Sequence, residues 1–143
     1  MIQRIQSIFL LLGAGSCFGL FGADAAETDT PVAASTLFAD AEFNLFDDPV
    51  LLALYTLAGL GLLAAIFLFR NRKLQMNLSL GAILLVLLGV GYGVFRFVGD
   101  VAADAAGPDF GLVLPGLAII FAGLARKYIQ KDEKLVRSAD RLR

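Results

Sequence analysis

Residues able to do chemistry are few in this chain, and most of them lie inside long apolar runs. There is no His, no Trp and a single Cys at position 17. His-ligated haem, a Cys/His zinc site within one chain and an intrachain disulfide are thereby excluded. General acid/base catalysis needs titratable groups set around a reacting atom, yet no Asp, Glu or Lys falls within an apolar segment. Arg96 is the one charge that does, and an ionisable residue at such a position is a functional candidate by default. It lies only a few residues from the end of its segment. From there its long side chain can snorkel to water and meet Asp100 one turn on, or Asp104 or Asp109. A structural Arg96 is the expectation, weighed against an anion contact near the mouth of a small oligomeric transporter or channel. Tyr55, Thr56, Asn77, Ser79 and Tyr92 add hydrogen-bonding capacity, although Ser and Thr can bond back to their own helix.

The glycines at 89, 91 and 93 resemble a fragment of a phosphate-binding loop, but they sit in an apolar run with no strand before them. Gly89 and Gly93 read instead as a face for close helix approach, as do Gly15/Gly19, Gly61/Ala65 and Ala118/Ala122. No catalytic, cofactor-binding or metal-binding residue is expected, and the chain reads as non-enzymatic.

What must position these residues is a set of membrane helices. The chain is 58% apolar and 17% charged, with a mean hydropathy of +0.77, far from the average of a soluble domain. Four apolar segments, at about 5–22, 49–69, 74–98 and 110–125, are joined by loops at 23–48 and 99–109 and followed by a tail at 126–143. A backbone in hydrocarbon must satisfy its own polar groups, and no barrel-type alternation of period two occurs, so the segments are helices. The expected fold is all-α: one domain of four transmembrane helices in two hairpins, with a basic helical tail. At about 1.5 Å per residue, the first and fourth segments are short for a core about 30 Å thick. Pro115 marks an early turn or a mild kink of the fourth. The long loop reads as flexible in its first half. In its second half Leu37, Phe38, Phe43, Leu45 and Phe46 suit an interface or the rim of the helices.

Charge fixes the expected orientation. Eleven of the twelve Lys/Arg lie at position 4, in the 70–73 turn or in the tail, whereas ten of the thirteen Asp/Glu lie in the two loops. The positive-inside rule then puts both termini on the cytoplasmic side of an inner membrane. A net charge of -1 gives no reason to expect nucleic-acid binding. A cleaved signal peptide is the competing reading of the first segment, with Arg4 before an apolar stretch at 8–21 and Ala23, Asp24 and Ala25 at the cut; a lipoprotein variant would use Cys17. Retention is favoured, with Gly15 and Gly19 as a packing face and Cys17 as a small buried residue.

The tail places Lys131, Lys134, Arg137 and Arg141 beside Leu135 and Leu142, more than a stop-transfer signal requires. A contact with an acidic protein surface or anionic lipid of the bilayer is expected there, and a membrane-protein partner or a homo-oligomer is the expectation for the chain as a whole. Glu133 and Arg137 form a favourable i, i+4 pair. Three stretches, MIQRIQS at 1–7, FRNRKLQM at 69–76 and KDEKLVRSADRLR at 131–143, together resemble a family of small four-span membrane proteins of Bacteroidota, the domain-of-unknown-function family 4293. The resemblance covers essentially the whole chain, least in the acidic loop, and implies a bacterial inner-membrane location with no assigned activity.

Single cysteines placed in a Cys17→Ser background report the orientation. An impermeant thiol reagent is expected to label positions 29 and 104 but not 71 or 138 in intact cells. Labelling at 138 from outside would reverse the topology and favour the cleaved signal.

Overall fold

The computed structural model describes residues 3–140. Four long helices dominate it: α1 (Gln3–Gly19), α2 (Pro49–Phe67), α3 (Arg72–Val98) and α4 (Leu114–Asp140). Each is long and apolar enough to cross a membrane. The helices close into a ring in which α1 touches α2 and α4, and α3 touches α2 and α4.

Local chemistry sets the ends. Asp48 stands before Pro49, and its carboxylate accepts the Val50 N–H at 2.8 Å, the usual pairing of an acidic N-cap with proline in the first turn. At the other end of α2 the chain turns in four residues, and Asn71 caps α3 by accepting the Leu74 N–H at 3.1 Å. Pro115 falls in the first turn of α4, after a short 3₁₀ stretch at Phe110–Val113, so its missing N–H leaves no helix bond broken. α4 then runs without interruption into the tail. The fourth helix is therefore longer than its apolar stretch alone suggests.

Small residues allow the close packing, though not all at the expected pairs. Ala118 and Ala122 are buried against α1, where their backbone lies 3.6 Å from the position a Cβ on Gly13 would take. A Cβ on Gly59 would meet the Phe18 ring at 2.8 Å. Gly15 and Gly61, by contrast, face open space. The α1 contact is thus built on Gly13 rather than on the anticipated Gly15. Cys17 is fully buried with Leu10 and Ala14 in the core.

The two loops fold together over one end of the ring, called here the loop end. Three two-residue strands, β1 (Ala26–Glu27), β2 (Glu42–Phe43) and β3 (Gly107–Pro108), form an antiparallel sheet in the order β2-β1-β3. Bonds from Ala25 N–H to Phe43 O (2.8 Å) and from Gly111 N–H to Asp24 O (2.8 Å) extend it. Gly111 lies so close to the Asp24 carbonyl that no side chain fits there. Beneath this roof Leu37, Phe38, Phe43 and Leu45 are buried, with Phe38 edge-on to Phe97 of α3 at 6.1 Å. The first half of the long loop, expected to be flexible, is held by this sheet because its backbone pairs with both neighbours. Phe46 alone of the five apolar residues stays well exposed.

Candidate functional site: a buried carboxylate at the loop end and a basic helix at the tail end

Asp48 is the centre of the loop-end site. Its side chain is 3% exposed. One oxygen serves the α2 N-terminus, and the other receives the Tyr92 hydroxyl at 3.0 Å and the Arg96 guanidinium at 3.0 Å. Helical spacing makes the double approach possible, since Tyr92 and Arg96 are four apart on one face of α3. Arg96 also donates to Thr36 Oγ at 3.4 Å. Its expected partners Asp100, Asp104 and Asp109 are not the ones it meets. Asp100 is engaged instead by the Ser35 hydroxyl (2.7 Å), the Thr36 N–H (3.3 Å) and the Ala102 N–H (2.9 Å), while Asp109 caps the 3₁₀ turn that leads into α4. Arg96 turns to Asp48, which the packing of α2 on α3 sets beside it, while Asp100 is held toward the loop by Ser35 and Thr36.

Two carboxyls of the roof shift in opposite directions. Desolvation opposes ionisation of Asp100, but the hydrogen bonds from Ser35, Ala102 and Thr36 together outweigh it and hold its carboxyl below the ordinary aspartate value of 3.8. Desolvation raises Asp47, against a backbone hydrogen bond from Asn44 and with the charges of Asp40, Asp24 and Glu42 adding to the rise.

Of the other polar residues singled out, Thr56 and Ser79 bond back to Leu52 O (2.6 Å) and Gln75 O (2.9 Å) of their own helices. Asn77 is exposed. Two buried amides carried no sequence signal. Gln75 donates to Ala65 O at 2.9 Å, leaving its own oxygen without a hydrogen bond, and both polar atoms of the fully buried Gln6 lack one among the described residues.

At the tail end, α4 is anchored before it projects. Ile129 is fully buried. Arg72, the first residue of α3, pairs with Asp132 at 3.1 Å and Glu133 at 3.5 Å, so this arginine is spent on the tail and does not add to a free basic surface. Phe9 stacks on Tyr128 at 5.4 Å. Glu133 pairs with Arg137 at 2.9 Å, as the i, i+4 spacing anticipates. Beyond this clamp Lys134, Leu135, Val136, Arg137 and Ser138 are all exposed, Lys131 precedes them on the surface, and Leu135 is 49% accessible. Among the described residues neither Lys131 nor Lys134 has an acidic partner. Arg141 and Leu142 lie outside the described residues, as does the side chain of Arg4.

The site contains no group of three or more metal-ligating side chains among the described residues. A family model described as a domain of unknown function, DUF4293, matches residues 2–142. No curated protein and no solved structure matches the chain.

A group whose folded pKa is depressed adds stability that is full above its unfolded pKa and vanishes as pH falls through the folded value. Asp100→Asn is therefore expected to reduce amide-exchange protection of the roof at about pH 6, and the difference is expected to shrink as the pH falls through the folded pKa of Asp100, which lies below 3.8. The opposite shift of Asp47 is common to both proteins and cancels. Equal protection of the two proteins at about pH 6 would deny Asp100 its role in holding the roof.

Proposed function

The chain belongs to the DUF4293 family, and we propose that this member is a non-enzymatic accessory or structural protein of the bacterial inner membrane. It works by presenting a basic, rigid helix to an acidic protein surface in the cytoplasm. The observation that carries the reading is the anchored tail. α4 continues past its apolar stretch as one helix, tied at its base by Arg72 and Ile129, and its last turns expose Lys131, Lys134, Leu135 and Arg137. From Arg126 to Asp140 such a helix extends about 21 Å, longer than orientation alone demands. A helix that lay on the bilayer would have to bend away from the α4 axis, and the Arg72 clamp opposes that. Interfaces of this kind combine a small apolar anchor with surrounding charges that steer association. Leu135 and the lysines supply both.

Both termini in the cytoplasm, two antiparallel hairpins and a retained first helix belong to the same reading. The charge partition supports the orientation, and the burial of Leu10, Ala14 and Cys17 between neighbouring helices supports retention of α1. The competing reading, an oligomeric transporter or channel with Arg96 at its outer mouth, needs a guanidinium available to anions. Arg96 spends its charge on Asp48 at 3.0 Å, which favours the structural role.

The test reverses charge in the full chain and leaves the clamp intact. Lys131→Glu with Lys134→Glu is expected to change unfolding by no more than about 0.5 kcal/mol, as for exposed positions generally. The same protein should weaken recovery of its native partner by about tenfold or more in mild detergent. Recovery at equal salt resistance would refute docking through the tail. Loss of vesicle binding with unchanged protein recovery would assign the tail to anionic lipid instead.

A further inference from the structure

Below the roof, between α3, α4 and the start of α2, lies a cavity of about 560 Å³. Its inner wall is Leu51 and Tyr55, each 4% exposed, and Phe43 of the roof closes it toward the loop end. The lining residues Leu87 and Val94 of α3 and Leu112 and Gly116 beside α4 are exposed on the outer surface. They mark a mouth that opens sideways between two helices. Gly89 lets the Tyr55 ring lie against α3, since a Cβ there would meet that ring at 2.9 Å, and at Gly116 a Cβ would meet nothing within 4 Å.

Water is a poor occupant. The volume corresponds to roughly twenty molecules at about 30 Å³ each, whereas the walls are almost wholly apolar and a buried water needs two to four polar partners. A helix of a second copy is about 10 Å across, so a space of about 560 Å³ would take little more than one of its turns. The surrounding solvent at the level of an apolar helix pair is hydrocarbon, so an acyl chain enters without transfer of apolar surface into water. One polar group points to more than a bare chain. The Tyr55 hydroxyl is part of a nearly inaccessible side chain on the cavity wall and makes no hydrogen bond among the described residues.

We propose that this cavity is a lipid site: it takes one acyl chain of a membrane lipid from the side, with the Tyr55 hydroxyl meeting an oxygen of the ester region. The proposal rests on α3 and α4 spanning the membrane and is independent of what the tail binds. Gly116 offers a way to block the site without disturbing the fold, because a Cβ there meets nothing within 4 Å.

The full chain is reconstituted in vesicles of phosphatidylcholine carrying a diazirine on one acyl chain, illuminated, and mapped by peptide mass spectrometry. Label is expected on Leu51 and Tyr55, which bulk lipid does not reach, and on the exposed controls Leu60 and Leu84. In Gly116→Phe the label on Leu51 and Tyr55 is expected to fall about tenfold, a loss of about 1.4 kcal/mol of binding, with Leu60 and Leu84 unchanged. Labelled controls with unlabelled Leu51 and Tyr55, or inner labelling that Gly116→Phe leaves intact, would overturn the lipid site. Crosslinks joining two chains at the mouth in place of lipid adducts would assign it to a second copy. Absence of label on Leu60 and Leu84 would overturn the membrane reading and the lipid site with it.

Discussion

A carboxylate taken out of water must recover its lost solvation from the protein, and Asp48 recovers it from three directions at once. The Val50 N–H, the Tyr92 hydroxyl and the Arg96 guanidinium all converge on it. The donors belong to two elements that would otherwise be free to move relative to each other, the first turn of α2 and the last turns of α3. Removing one partner from such a group costs more than the bond itself, because the remaining charge stays buried and unmet. The loop end of the molecule therefore has a single geometry in which this carboxylate is satisfied.

The roof follows from that geometry. With α2 and α3 fixed together at Asp48, Arg96 is held where it touches Thr36 and Asp100 is held where it receives Ser35 and Thr36. The long loop is stitched to α3 at these points. Its strands are too short to be stable as an isolated sheet, and the buried Leu37 and Phe38 supply the apolar contact that they lack. The same clasp shapes the cavity, whose wall and roof come from α2, α3 and the folded loop. The tail end is organised separately, by Arg72 reaching from the start of α3 to Asp132 and Glu133.

The helices were legible because a hydrocarbon-length apolar run has few alternatives, and Pro49 marks the start of the second. The partner of Arg96 was not. Proximity in sequence points to Asp100, whereas Asp48 is far upstream and meets Arg96 at 3.0 Å because α2 and α3 pack side by side with the start of one beside the end of the other. Two-residue strands leave no alternation to read, so the sheet carried no signal. The glycine pairs were read as packing faces from spacing alone, which does not say which glycine has a neighbour. Gly13 and Gly59 do, and Gly15 and Gly61 do not. Gln6 and Gln75 passed unnoticed because an amide near a helix end is ordinary until burial removes its water. In the tail, the Glu133–Arg137 pair was legible as a local i, i+4 contact, whereas the clamp of Arg72 spans two helices and was not.

The central claim is that Asp48 and Arg96 act as one unit in holding the loop end. A double-mutant cycle of Asp48→Asn and Arg96→Gln, read by unfolding in mild detergent, measures this directly. The expected coupling is about 1–3 kcal/mol, the range for residues joined in one network. Effects that add to within about 0.5 kcal/mol, as for independent sites, would contradict the account.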